Sequence, residues 1–193
     1  MKKETFECLV EIYSPMIKRL IEENTDFYRS SATIKWCINL FDDGSIVGTC
    51  DRKTRVVSIN LISINKAIRE NNMKEIEYFL LHEIRHAFQH EIIEDYLKGE
   101  KNLPISKNLI EQWIIENKNY IPAKDKEGNE NEEYFKQDIE FDAYAYSFSV
   151  MKYKYGLSKN DLFVPKSYGE EFDKIVDGFI NEYLKEGIRA YHE

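Results

Sequence analysis

The spacing of apolar side chains predicts that most of this chain is helical. Residues with apolar side chains recur at intervals of three and four over 5–28, 74–97, 132–155 and 170–186. A shorter helix is predicted to begin at Ser106, and Gly156 stands where the third long helix would end in a left-handed conformation. Residues 118–131 are mostly polar and predict a surface loop between two of these helices.

A segment rich in strand-forming residues lies between the first two long helices. Residues 33–41 and 45–50 flank the turn signal Asp42-Asp43-Gly44, and together they predict a hairpin. Residues 55–64 alternate apolar side chains with Ser and Asn, which predicts a third strand, and a short helical stretch follows at 65–70. We expect these strands to form a small antiparallel sheet, so the predicted fold class is α+β.

The second long helix carries the motif H-E-x-x-H at His82, Glu83 and His86. At about 100° per residue, His86 lies roughly 40° and Glu83 about 100° around the helix from His82. Two imidazoles one turn apart can bind one metal ion, and the neighbouring carboxylate can reach a water on that ion. Apolar side chains occupy the opposite side of the helix: Leu80, Leu81, Ile84, Ala87 and Phe88. The pattern favours a metal-binding face with a buried back over a histidine pair that serves packing alone.

A catalytic zinc site needs a third protein ligand, and here the better candidate is a carboxylate. Ile92 stands where a longer histidine motif would place its third histidine, and the remaining histidine, His192, lies next to the last residue of the sequence. On the helix over 132–155, Glu140 shares a face with small side chains, whereas Asp142 groups with Asp138 on a side expected to face water. Helical geometry favours Glu140 and leaves Asp142 as the alternative.

Four further side chains are candidates for supporting roles. His90 lies on the same side of its helix as His82 but two turns on, which predicts a position at the rim of a cleft or beside a ligand. The candidates for stabilising a transition state are Tyr144, Tyr146, Tyr168 and His90, and the pattern does not separate them. Tyr144 is also a candidate for contacting a ligand.

Charge and cysteine content narrow the classes of partner. The net charge of −8 disfavours nucleic acids and anionic membranes, and no run of 18 apolar residues predicts a membrane span. Cys8, Cys37 and Cys50 are odd in number and widely spaced, which is typical of reduced thiols. Since the first residues also lack the pattern of a signal peptide, we predict a cytoplasmic protein.

The run L-L-H-E-I-R-H-A-F-Q, followed downstream by E-F-D-A-Y-A-Y-S, resembles the gluzincin arrangement of zinc peptidases. Within that group it is similar to the ImmA/IrrE family of cytosolic metallopeptidases associated with phages and mobile elements. The resemblance covers roughly residues 55–150 and implies a zincin-like fold, with His82, His86 and Glu140 as zinc ligands and Glu83 as general base. Tyr144 departs from the family pattern, which has Asn or Asp at that position.

These observations predict one metallopeptidase-like domain with one zinc ion per chain. We divide it into an N-terminal helical extension (1–30), a catalytic core (31–155) and a C-terminal helical segment (156–193). The predicted activity is cleavage of a specific intracellular protein, and the resemblance implies DNA-binding repressors or other regulators as substrates. The alternatives are a zinc-binding regulatory or interaction module without protease activity, and a toxin or effector peptidase.

Overall fold

The computed structural model describes residues 1–24, 27, 33–124 and 127–190, with the backbone alone described over 184–190. Within these residues the helices are α1 (Lys3–Glu23), α2 (Leu61–Arg69), α3 (Met73–Leu97), α4 (Lys107–Lys118), α5 (Asp138–Tyr155) and α6 (Glu170–Ala190). The strands are β1 (Lys35–Asn39), β2 (Gly48–Cys50) and β3 (Val56–Asn60), and a short 3-10 helix covers Glu132–Lys136. Helices and a small sheet together confirm the predicted α+β class.

The chain divides into two compact units, Met1–Phe88 and Gln89–Glu193. The division falls inside α3, so this helix contributes residues to both units. Within the described part of the chain, none of the helices combines the length and the apolar character needed to cross a membrane.

The sheet of the first unit is mixed, which corrects the prediction of an antiparallel sheet. The strand order is β1-β3-β2, with β1 parallel to β3 and β2 antiparallel to it. The predicted hairpin of β1 with β2 is therefore wrong, because β3 lies between them. Val57 and Ile59 of β3 are fully buried, whereas Thr49 of the three-residue β2 is exposed. The most apolar strand takes the central, doubly paired position, and the short strand is left at the edge.

Strand β3 is shorter than predicted because Asn60 ends it and starts the next helix. The Asn60 side chain accepts a hydrogen bond from the Ile62 backbone at 3.1 Å, which caps the N-terminus of α2. Residues 61–64, predicted to extend the strand, are therefore the first turn of α2. Asn60 also donates to the Ile46 carbonyl at 2.8 Å, which fastens the loop that precedes β2.

The core of the first unit is built on the apolar back of α3. Buried side chains from α1, the sheet, α2 and α3 form one cluster: Ile17, Ile21, Ile38, Val57, Ile59, Leu61, Ile64, Ala67, Ile76, Leu80, Ile84 and Ala87. The five residues predicted to form the buried back of the motif helix are all less than a tenth exposed. That prediction is confirmed, and it fixes which face of α3 carries the histidines.

The second unit is built around α5, which is buried on nearly every side. Twelve residues of α5 are buried, and the helix packs along α4 and α6. Aromatic rings fill much of the space on one side of it, with centroids between 4.6 and 6.1 Å apart: Phe135, Phe141, Tyr144, Phe163, Tyr168 and Phe172. A helix buried all round has no strong apolar stripe, so its pattern alone could not show which side faces which neighbour.

The predicted helices are all present, but several boundaries differ from the predictions, and α6 continues to Ala190. Residues 132–136 form a separate 3-10 turn, and α5 begins at Asp138, since Gln137 is in an extended conformation. Gly156 has a φ of 65°, which confirms it as the left-handed end of α5. Helix α1 ends at Glu23, and residues 25, 26 and 28 of the predicted first helix lie outside the described residues.

Candidate metal centre

His82 and His86 bring their imidazole nitrogens together on one face of α3. The two Nε2 atoms are 3.0 Å apart and the rings meet edge to face at 88°. Two nitrogen ligands about 2.1 Å from a tetrahedral zinc ion lie roughly 3.4 Å apart, so the observed separation of the Nε2 atoms is within about 0.4 Å of that of a ligand pair. His82 is buried and His86 is partly exposed.

Glu83 is held beside the edge strand of the sheet. Its side chain is 8% exposed, and a Cβ atom at Gly48 of β2 would lie only 2.9 Å from the Glu83 Cγ atom. The position at 48 therefore needs a glycine if Glu83 is to keep this conformation.

Burial raises the pKa of the nearby Cys50 thiol, and the negative charge of Glu83 raises it further. Cys50 is thus kept as a neutral thiol next to the carboxylate.

Glu140 is completely buried, and both of its carboxylate oxygens accept hydrogen bonds from tyrosines. Tyr120 donates to Oε1 at 2.8 Å and Tyr134 donates to Oε2 at 2.5 Å. Glu140 also lies in the first turn of α5, where the helix dipole favours negative charge. Burial raises the pKa of Tyr134 well above its ordinary value, and the charge of Glu140 adds to the effect. Tyr134 therefore stays protonated at neutral pH and donates a hydrogen bond to Glu140.

The first turn of α5 is fixed by side chains from two other helices. The two carboxylate oxygens of Glu116 in α4 accept hydrogen bonds from the Asp138 and Ile139 backbone N–H groups, each at 2.9 Å. Gln89 in α3 donates to the Ile139 carbonyl at 2.9 Å. These contacts satisfy backbone groups at the helix start and set the position of Glu140 one residue later.

Asp142 is buried, which corrects the expectation that it faces water. It is 8% exposed and its Oδ2 atom accepts a hydrogen bond from Gln89 at 2.7 Å. The physical reason is that α5 has no solvent face at this point, so a polar side chain there needs a partner within the protein. Asp142 thus has a structural partner on α3.

Three of the residues nominated from the sequence form a group that could hold a metal ion. One ligand atom from each of His82, His86 and Glu140 lies within 4.8 Å of the others. Two imidazoles and a carboxylate are a donor set that zinc accepts in catalytic sites. Asp142 does not belong to this group, and no second group of this kind occurs among the residues that the structure describes.

The other residues that the sequence suggested for the site make contacts outside the group of His82, His86 and Glu140. His90 is buried, and its Nδ1 atom lies 3.5 Å from the Asn117 amide nitrogen. The ring of Tyr144 lies among aromatic side chains, Tyr146 packs against Phe179, and Tyr168 stacks on Phe172. Their roles in stabilising a transition state stay predictions. His192 lies outside the described residues.

Sequence reasoning missed Tyr120 and Tyr134, the two partners of Glu140. Both precede α5, one in the polar segment after α4 and one in the 3-10 helix. The chain contains 13 tyrosines, and nothing in the spacing of these two distinguishes them from the rest. Only the fold brings them to the carboxylate.

Comparison with family models, with curated proteins and with solved structures finds no match to this chain. The resemblance to the ImmA/IrrE family therefore stays a prediction carried by the motif residues.

Proposed function

We propose that this protein is a zinc-dependent peptidase, with His82, His86 and Glu140 as metal ligands and Glu83 as general base. The observation that carries the proposal is that one ligand atom from each of His82, His86 and Glu140 lies within 4.8 Å of the others. Glu83, which follows His82 in the sequence, is buried. Structural zinc sites have four protein ligands, whereas catalytic sites keep one position open. Among the described residues no fourth His, Cys, Asp or Glu joins the group, which favours the catalytic type.

Each acidic residue has an environment that suits its proposed role. When bound, zinc acidifies water and polarises a carbonyl group. Glu83 would take a proton from the attacking water and return it to the leaving amine, and the space at Gly48 lets its side chain stay in place. Two phenols donate hydrogen bonds to Glu140, and the start of α5 favours negative charge, and both features suit a carboxylate ligand.

The edge strand supports peptide cleavage over the hydrolysis of small molecules. Strand β2 is outermost in the order β1-β3-β2 and passes beside Glu83. An extended polypeptide can add to such an edge through backbone hydrogen bonds, which would bring a peptide bond close to the general base. We propose a specific cytoplasmic protein as substrate, and the net charge of −8 favours neutral or basic partners. A DNA-binding repressor would fit, by analogy with the resembled family.

The ligand assignment is tested by comparing Glu140→Gln with Asp142→Asn. Both replace a buried carboxylate on α5 by its amide, but only Glu140 is proposed to bind zinc. We expect wild-type protein and Asp142→Asn to bind close to one zinc per chain, and Glu140→Gln to bind it at least about 100-fold more weakly. Elemental analysis and chelator competition measure both quantities. Release of zinc by Asp142→Asn and retention by Glu140→Gln would reverse the assignment.

The catalytic proposal is tested with Glu83→Gln, because this variant separates metal binding from chemistry. The wild type is expected to cleave few members of a proteome-derived peptide and protein library, and casein poorly. Glu83→Gln should keep its zinc and lose at least about 100-fold in turnover, the scale of a general base. A zinc-loaded wild type that cleaves nothing would favour the regulatory module, and cleavage that survives in Glu83→Gln contradicts the assigned base.

A further inference from the structure

Glu140 is distinguished by having a tyrosine on each of its two carboxylate oxygens. Tyr134 is 8% exposed and Tyr120 is 37% exposed, so one phenol is enclosed by protein and the other borders solvent. Each phenol donates one hydrogen bond, at 2.5 Å from Tyr134 and 2.8 Å from Tyr120. These are charge-assisted bonds, which are shorter and stronger than bonds between neutral groups.

Both tyrosines are themselves held in place by the polypeptide before α5. Gln137 donates to the Ile121 carbonyl and accepts from the Ile121 N–H, both at 2.9 Å, which fixes the backbone beside Tyr120. Tyr134 lies in the 3-10 helix, whose start is capped by the Asn131 side chain. The ring of Tyr134 also packs edge to face against the Phe135 ring at 4.9 Å. Contacts within the protein therefore hold both phenols beside Glu140.

Two fixed donors, one on each oxygen, determine the orientation of the Glu140 carboxylate. Each phenol uses one lone pair of the oxygen that it contacts. Rotation of the carboxylate away from either phenol would break a charge-assisted hydrogen bond. Hydrogen-bond partners of this kind around metal ligands commonly change metal affinity by 10–100-fold.

We propose that Tyr120 and Tyr134 are positioning residues that hold the Glu140 carboxylate in the orientation required for metal binding. The inference rests on the proposed function, since it takes Glu140 to be a metal ligand. The two residues contribute unequally. Water can replace the hydrogen bond of the exposed Tyr120, but it cannot easily reach the enclosed partner Tyr134.

The test is zinc affinity in Tyr134→Phe, Tyr120→Phe and the double variant, measured by competition with a chromophoric chelator. Tyr96→Phe is the matched control, because Tyr96 also donates to a glutamate, Glu111, at 2.8 Å, but that pair is exposed and takes no part in the metal group. We expect a loss of about 10–100-fold for Tyr134→Phe, a smaller loss for Tyr120→Phe, and no change for Tyr96→Phe.

A spectroscopic readout separates positioning from a general effect on folding. With cobalt in place of zinc, the visible absorption bands report the geometry of the ligands, so Tyr134→Phe should shift them and Tyr96→Phe should not. If Tyr134→Phe does not fold, the test rests on Tyr120→Phe. The proposal then requires Tyr120→Phe to bind zinc more weakly than Tyr96→Phe does.

The outcomes distinguish this inference from the proposed function. A wild type that binds no zinc overturns both. A wild type that binds zinc through Glu140, while both tyrosine variants match Tyr96→Phe in affinity and spectrum, overturns the positioning role alone.

Discussion

The histidines on α3 and the glutamate on α5 are held in position by different forces. Behind His82 and His86, the back of α3 is apolar and packs into the core of the first unit. Around Glu140, the neighbours are polar, and they include two phenols on the carboxylate and a glutamate that caps the helix start. One half of the proposed ligand set thus depends on non-directional packing, and the other on directional hydrogen bonds.

This difference has consequences for how each region tolerates change. Packing spreads the stabilisation over many contacts, so a helix held in this way keeps its register when a single polar residue is altered. A buried polar network fails more locally, because the loss of one member leaves another without its partner. We therefore expect substitutions near Glu140 to change metal binding through orientation, and substitutions behind the histidines to act mainly through stability.

The largest effect is expected from His86→Ala, with His90→Ala as its control on the same helix. His86 lies with its Nε2 atom 3.0 Å from that of His82, whereas His90 lies one turn on, beside Asn117. We expect zinc affinity to fall by more than the roughly 100-fold that loss of an outer partner can cause. Titration calorimetry measures it. Equal losses in the two variants would show that the histidine pair is not the metal-binding unit.

Leu80→Ala should cause the largest loss of stability, about 2–5 kcal/mol, because it leaves a cavity in the core behind the histidines. Leu80 is completely buried, and Leu97 on the same helix is 69% exposed and provides the control. Unfolding in urea compares the free energies of the two variants with the wild type. A Leu80→Ala protein that keeps its stability would show that packing does not hold this region.

Glu116→Ala should have a smaller effect on stability, about 0.5–2 kcal/mol, because it removes the cap from the first turn of α5. Unlike Leu80→Ala, it should also weaken zinc binding, since Glu140 lies in that turn. Glu111→Ala on the same helix removes a bond between exposed side chains and should leave both quantities nearly unchanged. If Glu116→Ala lowers stability but leaves zinc affinity intact, the polar network does not orient the ligand.

Gly48→Ala is expected to have a selective effect on turnover. Its new Cβ atom would press on Glu83, whereas an alanine at Gly44 would meet nothing closer than 3.9 Å. We expect turnover to fall by about tenfold with zinc affinity unchanged, because a displaced base weakens chemistry more than binding. If Gly48→Ala keeps wild-type turnover, as Gly44→Ala is expected to do, then Gly48 is not needed to keep Glu83 in place for catalysis.

Much of the histidine region could be predicted because its arrangement depends on residues that are close together in the sequence, within one helix. The interval of four residues between His82 and His86 sets their common face, and the apolar residues of the same helix set the opposite one. The end of α5 at Gly156 was predictable for the same reason, since a glycine at a helix end acts on its own turn.

The sheet and the surroundings of Asp142 could not be predicted in this way. The turn signal at Asp42-Asp43-Gly44 favours a hairpin, but pairing with the more apolar β3 buries more surface, and β3 took the place between the two strands. Asp142 was expected to face water because its own helix offered only Asp138 as a neighbour. The partner that allowed its burial, Gln89, lies 53 residues away.

The sequence by itself therefore predicted metal-binding chemistry and the helix that carries the two histidines. It could do so because helix periodicity relates residues three and four apart. Only the tertiary structure decided which carboxylate joins the histidines and which tyrosines donate to it. Tyr120 and Tyr134 lie 20 and 6 residues from Glu140 in the chain, outside its helix. No local repeat relates such positions, and the contacts exist only once packing has brought the segments together.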